Sequence, residues 1–234
     1  MAVATDPRRL VLALGLVRQG RAQAVLCELG DGAVNMGAWH ESLNLAAVWR
    51  LPVVFLVMNN EYGMGTSVER ASAVTELYRR ADSYNLPALR VDGDDLLAVA
   101  QASATLLEGA RHDRRAAVLE LVTYRYRGHS VADAGLAYRS RGEIDAHLQH
   151  DPIYRARALL AAEGVSDNEL DAMLAAAHDR VEASVEVALA SSEPEVSTLA
   201  TGMYGPGSAA QFARMLPGAP FGERELVFAG GLGE

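Results

Sequence analysis

From Ala24 to Asn60 the chain reads AVLCEL, then GDG, then a stretch ending in GAWHESLNLAAVWR, then VVFLVM and NN. This order constrains the fold more than any other feature. VVFLVM (53–58) is continuously apolar and rich in β-branched residues, as expected of a strand buried on both faces of a parallel sheet. AVLCEL (24–29) is a shorter strand of the same kind. Between them, over 37–50, Trp39, Leu43, Ala46, Ala47 and Arg50 recur at helical spacing, and Pro52 follows that helix. A strand, a helix and a strand in succession form a right-handed crossover, so the two strands run parallel.

The rest of the chain extends the pattern. Residues 7–19 read as a helix opened by Asp6-Pro7 and stopped by Gly20. ALRVDG (88–93) is a third strand, Asp94 or Asp95 caps a helix to about 110, and AAVLELVTYRY (116–126) is a fourth strand. From about 143 only helical patterns remain, with SDNE (166–169) a capping box before an amphipathic helix to about 190. Pro, Gly and Ser interrupt the stretch beyond it. The expected fold is α/β, a parallel sheet with flanking helices over 1–142, a helical segment over 143–190 and a linker or extended tail over 191–234. DGDD (92–95) reads as a turn and helix cap rather than a metal cluster. Arg111, Arg114 and Arg115 read as a solvated helix end, and Trp39 and Trp49 as core or interface.

Composition removes several classes of function. The formal net charge of −9 argues against a nucleic-acid partner. All 21 cationic residues are arginine. Without lysine there is no Schiff-base or pyridoxal phosphate chemistry, and no P-loop. The single cysteine, Cys27, excludes an intrachain disulfide and fits a reducing, cytoplasmic setting. Arg18 and Arg21 break the approach to a signal-peptide cleavage site. No apolar run approaches the ~20 residues of a membrane span.

In a parallel sheet, ligands collect at the carboxyl ends of the strands. GDG ends one strand, and Asn59-Asn60 ends the next after 26 intervening residues. Neighbouring strands lie ~5 Å apart, so one ion can touch both ends. The Asp31 carboxylate and an asparagine carbonyl are hard oxygen ligands suited to Mg²⁺, which completes its shell with water and phosphate oxygens. Gly30 and Gly32 let the backbone approach closely, and the helix that follows offers free N–H groups. The segment reads as a device for holding a diphosphate through Mg²⁺.

The GDG…NN spacing resembles the thiamine diphosphate signature. NNEYGMGTSVERAS and TYRYRGHS…YRSRGEI resemble the alpha subunits of pyruvate dehydrogenase, the decarboxylating component of the 2-oxo acid dehydrogenase complexes, over residues 10 to about 190. That resemblance implies a partial thiamine diphosphate-binding fold and a set of roles. Asp31 and the Asn60 side chain would bind Mg²⁺, with the main-chain oxygen of Tyr62 as a third ligand. Backbone at Gly30, Gly32 and Ala33 would cradle the diphosphate. His129 would reach the phosphate end of the cofactor and the substrate side, as the catalytic candidate. Ser130 matches a phosphorylation position of mitochondrial relatives, and Ala137 takes the place of a second such serine.

The resemblance also implies a heterotetramer with a beta subunit, a lipoyl acyltransferase partner and a 2-oxo acid substrate. It implies an amino-terminal region preceding the 7–19 helix that this chain lacks, and little or no activity of the chain alone. The chain departs from the family's pattern at Met36, Met58 and Arg127. FGERELVFAGGLGE (221–234) faintly resembles the opening of a beta subunit. A non-catalytic remnant keeping the fold, and an acetoin- or branched-chain-type dehydrogenase alpha subunit, stay open as alternatives.

Overall fold

Three parallel pairings build the sheet of this protein, whose computed structural model describes residues 7–196 and 198. The elements run α1 (Pro7–Arg18), β1 (Val25–Gly30), α2 (Gly37–Val48), β2 (Val53–Asn59), β3 (Tyr62–Gly63), β4 (Thr66–Ser67), α3 (Val68–Ala71), β5 (Ala88–Asp92), α4 (Leu96–Asp113), β6 (Ala117–Val122), α5 (Arg141–Leu148), α6 (Pro152–Ala162) and α7 (Asp167–Ala190). Single 3₁₀ stretches occupy Asp31–Asn35 and Leu77–Tyr84. The four-stranded sheet has the order β1-β2-β6-β5, and β3 and β4 form a separate antiparallel hairpin. The α/β architecture with flanking helices is therefore as the sequence implied. Chain contacts divide the molecule into two units at Leu170–Asp171.

Period-two alternation assigns the two faces. Val53, Phe55 and Val57 of β2 and Val118 of β6 join Cys27 and Leu29 of β1 under α1 and α2. Trp39 of α2 sits fully buried there, edge-on to Phe55 with ring centroids 5.4 Å apart. Val54, Ala117, Leu119 and Leu121 face the other way, against Ala102, Leu106 and Ala110 of α4. Each fully buried side chain of the Phe or Leu class contributes ~1.5–3 kcal/mol. β2 is covered on both faces, which is why its sequence is an unbroken apolar run.

Glu120 of β6 is fully buried on the α1–α2 face. A lone carboxylate there would cost several kcal/mol, more than any one apolar side chain returns. Both of its oxygens are instead partnered: Asn59 Nδ2 donates to one at 2.7 Å and the Tyr78 N–H to the other at 2.9 Å, with Arg90 Nε 3.8 Å away.

Boundaries differ from the sequence reading where partners run out. The fourth strand stops at Val122, not 126, because Val122 pairs with Asn59 on one side and Asp92 on the other, the last residue of each strand. The 37–50 helix ends at Val48; Arg50 takes a left-handed φ of 50° and turns the chain into β2. Gly20 stops α1 with φ 65°, as its sequence position suggested. Asp95 is the cap of α4, its carboxylate accepting from the Leu97 and Ala98 N–H groups. Asp92 and Asp95 both pair with Arg155, so DGDD fastens α6 to the sheet end. The capping box at Ser166 and Glu169 forms with reciprocal bonds of 3.4 and 3.0 Å. Trp49 is 48% exposed, unlike Trp39. The Asp6 cap and the tail from 199 onward, including 221–234, lie outside the described residues.

Candidate functional site

The carboxyl ends of β1, β2 and β6 open into one cleft of 780 Å³. Its floor is the face of β1 that α4 does not cover, with Leu26 and Glu28 beside Met58 of β2. All the residues singled out from sequence line it: Gly30, Asp31, Gly32, Ala33, Asn60, Tyr62 and His129. So do Met36 and Met58, and Arg9 of α1.

Asp31 opens the 3₁₀ stretch that follows β1 and is 5% exposed. Burial pushes its carboxyl above the ordinary carboxylate value, against its own backbone N–H, the Arg125 charge and the Asn60 backbone N–H, all of which pull it down. The two strand ends thus meet: a carboxylate from one accepts from the backbone of the other. A buried anion pulled up by burial is a group that gains from a cation. Asp31 shares the cleft with Asn60 and Tyr62, whose amide and main-chain oxygens are hard donors able to hold a hard divalent cation. Among the described residues no three His, Cys, Asp or Glu side chains gather to form a metal site by themselves.

The β3–β4 hairpin presses against the GDG turn. A Cβ on Gly63 would come 3.2 Å from the Gly32 Cα and 3.5 Å from Asp31 Oδ2. Two backbones approach closely here, and a side chain at Gly63 would require its neighbour to shift by a few tenths of an ångström. Asn60 Oδ1 accepts from the Tyr62 N–H at 3.4 Å. Neighbouring Asn59 looks the opposite way, toward Glu120. The Tyr62 carbonyl accepts from Arg125 Nη1 at 2.9 Å, and the Met64 carbonyl from Nη2. A carbonyl has two lone pairs, so the Tyr62 oxygen keeps one for another partner.

Arg125 is the site residue to which sequence reasoning gave no role. It follows the fourth strand within the quoted motif TYRYRGHS, four residues before His129, and lines the same cleft. That position on the sheet edge was the signal that could have found it.

His129 is exposed at the cleft lip in the loop after β6. Asp133 shapes this loop: it accepts from the His129 N–H at 2.8 Å, the Tyr138 hydroxyl at 2.7 Å and the Gly135 N–H at 2.7 Å. Gly128 packs directly on the Asp133 carbonyl, where a Cβ would collide. Arg139 is buried and donates to the carbonyls of Arg125, Tyr126 and Arg127, against the rings of Tyr62, Tyr124 and Tyr138.

The three donors hold the Asp133 carboxyl down at about 2. For an acid depressed on folding, the stabilisation is complete above the ordinary carboxyl value and fades as pH falls toward the folded one. Amide-exchange protection at His129 and Gly135, corrected for intrinsic rate, is therefore expected to hold level from about pH 8 to about pH 5 and to decline below about pH 4. Asp133→Asn should lower it at every pH. Protection that changes near neutrality would show that another group holds the loop.

The sequence model of the dehydrogenase E1 component family matches residues 3–197. Over 185 residues the chain is 42% identical to the pyruvate dehydrogenase E1 component subunit alpha of Rhizobium meliloti (strain 1021), covering 78% of this chain and 53% of that one. It is 37% identical over 185 residues to the corresponding subunit of Porphyra purpurea, covering 79% and 54%. It is 38% identical over 195 residues to the somatic-form mitochondrial subunit of Homo sapiens, covering 82% and 50%. The chain spans about half the length of the curated relatives it matches. Among the described residues no helix is long and apolar enough to cross a membrane. With GDG and NN meeting at neighbouring strand ends and the match running from the first helix through the last, the chain belongs to the dehydrogenase E1 component family.

Proposed function

We propose that this chain is the alpha-subunit portion of a thiamine diphosphate-dependent 2-oxo acid dehydrogenase, with pyruvate as substrate, and that it holds the Mg²⁺–diphosphate end of the cofactor. Bound there, the cofactor supplies an electron sink for loss of CO₂ from the 2-oxo acid. The single observation that carries the reading is the convergence of Asp31, Asn60 and Tyr62 on one cleft, with His129 at its lip.

Each residue has a task its chemistry suits. Asp31 supplies the negative charge opposite Mg²⁺, and the Asn60 amide oxygen and Tyr62 carbonyl supply neutral hard ligands. The N–H groups of Gly32 and Ala33 open a helical turn, where intrahelical partners are missing, and donate to phosphate oxygens. His129 steadies a phosphate or carboxylate as imidazolium, or accepts a proton as imidazole. Arg125 sets a fixed positive charge beside the anionic ligand. A beta subunit completes the site, and a lipoyl group on an acyltransferase partner takes the acyl product.

Calorimetry tests the reading. Titration of the full chain with thiamine diphosphate should give heat that depends on Mg²⁺, and a beta subunit should tighten binding. Heat that appears equally in a chelator would remove Mg²⁺ from the site. No heat with or without the beta subunit would leave a chain that keeps the fold but not the ligand. A panel of 2-oxo acids and acetoin with an artificial electron acceptor, run on the alpha–beta assembly, decides the substrate.

A further inference from the structure

The segment Glu61–Met64 is a thin wall. The cleft holding Asp31 lies on one side, and a second cleft of 360 Å³, lined by Asn59, Glu61 and Glu143, on the other; Tyr62 lines both. The wall does not hold its own shape. Glu61 and Met64 have φ of 72° and 58°, conformations that residues with side chains adopt rarely. Its hairpin pairs only Tyr62–Gly63 with Thr66–Ser67, too little to be stable alone.

The wall is held from behind by α5. Glu143 Oε1 accepts from the Tyr62 hydroxyl at 2.8 Å and from the Tyr124 hydroxyl at 2.7 Å. Tyr124 follows β6 and is buried, so the shared oxygen ties the wall to the end of the sheet. His147, one turn further along α5, stacks flat on Tyr124 with centroids 3.8 Å apart, and its Nε2 lies 3.8 Å from the Glu61 carboxylate. Ser140 caps α5 by accepting from the Glu143 N–H at 3.1 Å. Glu143 Oε1 is thus one acceptor shared by two hydroxyls from different parts of the chain.

We propose that Glu143 is a positioning residue for the Mg²⁺–diphosphate site, locking the Tyr62 hydroxyl on one side of the wall so that the Tyr62 carbonyl and the Asn60 amide keep their places on the other. This rests on the functional reading above. Nothing on α5 lines the cleft with Asp31, so Glu143 acts through Tyr62.

Two measurements on the full chain separate the clamp from its use. Without ligand, Glu143→Ala should speed amide exchange across 61–66 by about tenfold, and Tyr62→Phe should do the same. The double variant should add little to Glu143→Ala, because Tyr62→Phe removes only a bond that Glu143→Ala has already lost. Glu143→Gln, which keeps an acceptor at Oε1, should restore most of the protection. Unchanged exchange in Glu143→Ala, or full additivity, overturns the clamp. In the second measurement, Mg²⁺-dependent titration with thiamine diphosphate, Glu143→Ala and Tyr62→Phe should each weaken binding by about tenfold, with Glu143→Gln near wild type. Faster exchange with unchanged affinity would reduce Glu143 to a structural residue and overturn its positioning role. A wild-type chain that binds no thiamine diphosphate overturns the functional reading and the positioning role with it, while the exchange measurement still decides the clamp.

Discussion

Asp31→Asn is expected to weaken Mg²⁺-dependent binding of thiamine diphosphate by about 100-fold or more, since it removes the only carboxylate proposed as a metal ligand. The substitution is close to isosteric. Asparagine keeps an oxygen to accept from the Asn60 backbone, so the meeting of the strand ends survives. The unliganded chain should melt at the same temperature or higher, because a buried charge with incomplete compensation gives way to a neutral amide. Loss of affinity with undiminished stability is the signature of a residue kept for its ligand. A variant that binds as tightly as wild type would move the metal site elsewhere, and one that unfolds would make Asp31 architectural. Calorimetry and a thermal melt on the same sample distinguish these results.

The second large effect is expected at Arg139. Its guanidinium satisfies the carbonyls of Arg125, Tyr126 and Arg127 while lying over aromatic rings. Arg139→Met fills much of the same volume and leaves those carbonyls without their donor. A fully buried group left unpaired costs ~1–3 kcal/mol; with Arg125 and Tyr126 half-buried and Arg127 exposed, water relieves part of this and the loss should be about 3 kcal/mol. For a chain of this size that lowers the melting temperature by about 6–12 °C. Trypsin offers a local readout. With no lysine in the chain it cuts only at arginine, and Arg125 and Arg127 sit in the segment that Arg139 holds. Cleavage at those two sites should quicken relative to Arg180 of α7. Uniform quickening at all three would point to global unfolding instead of release of this loop.

Much of the sheet was legible because burial on two faces leaves an unbroken apolar run, and β2 is that case. The helices on either side were legible from their spacing. What failed did so for physical reasons. Beyond Val122 the residues TYRY still look like strand, yet a strand exists only where a partner remains, and both neighbours have ended. Trp49 and Arg50 continue the helical spacing, but Leu51-Pro52 forces the turn first. Between 61 and 87 the elements are too short to show a period, so the hairpin and the 3₁₀ stretch that shape the cleft wall left no signal. The cleft lining was legible as far as local motifs reach: Asp31, Asn60 and His129 each follow a strand. Glu143 and Arg139 were not, since their partners lie at Tyr62 and Tyr124 and only tertiary structure brings them together.

Asn59 and Asn60 look like one motif, yet successive side chains leave an extended chain in opposite directions. Asn59 spends its amide on a carboxylate in the interior, and Asn60 turns toward the cleft. The doublet therefore divides between two environments, one asparagine bracing a buried carboxylate and the other facing open space. Replacing Asn59 would strand the Glu120 carboxylate in the interior, whereas replacing Asn60 would leave that buried pair intact.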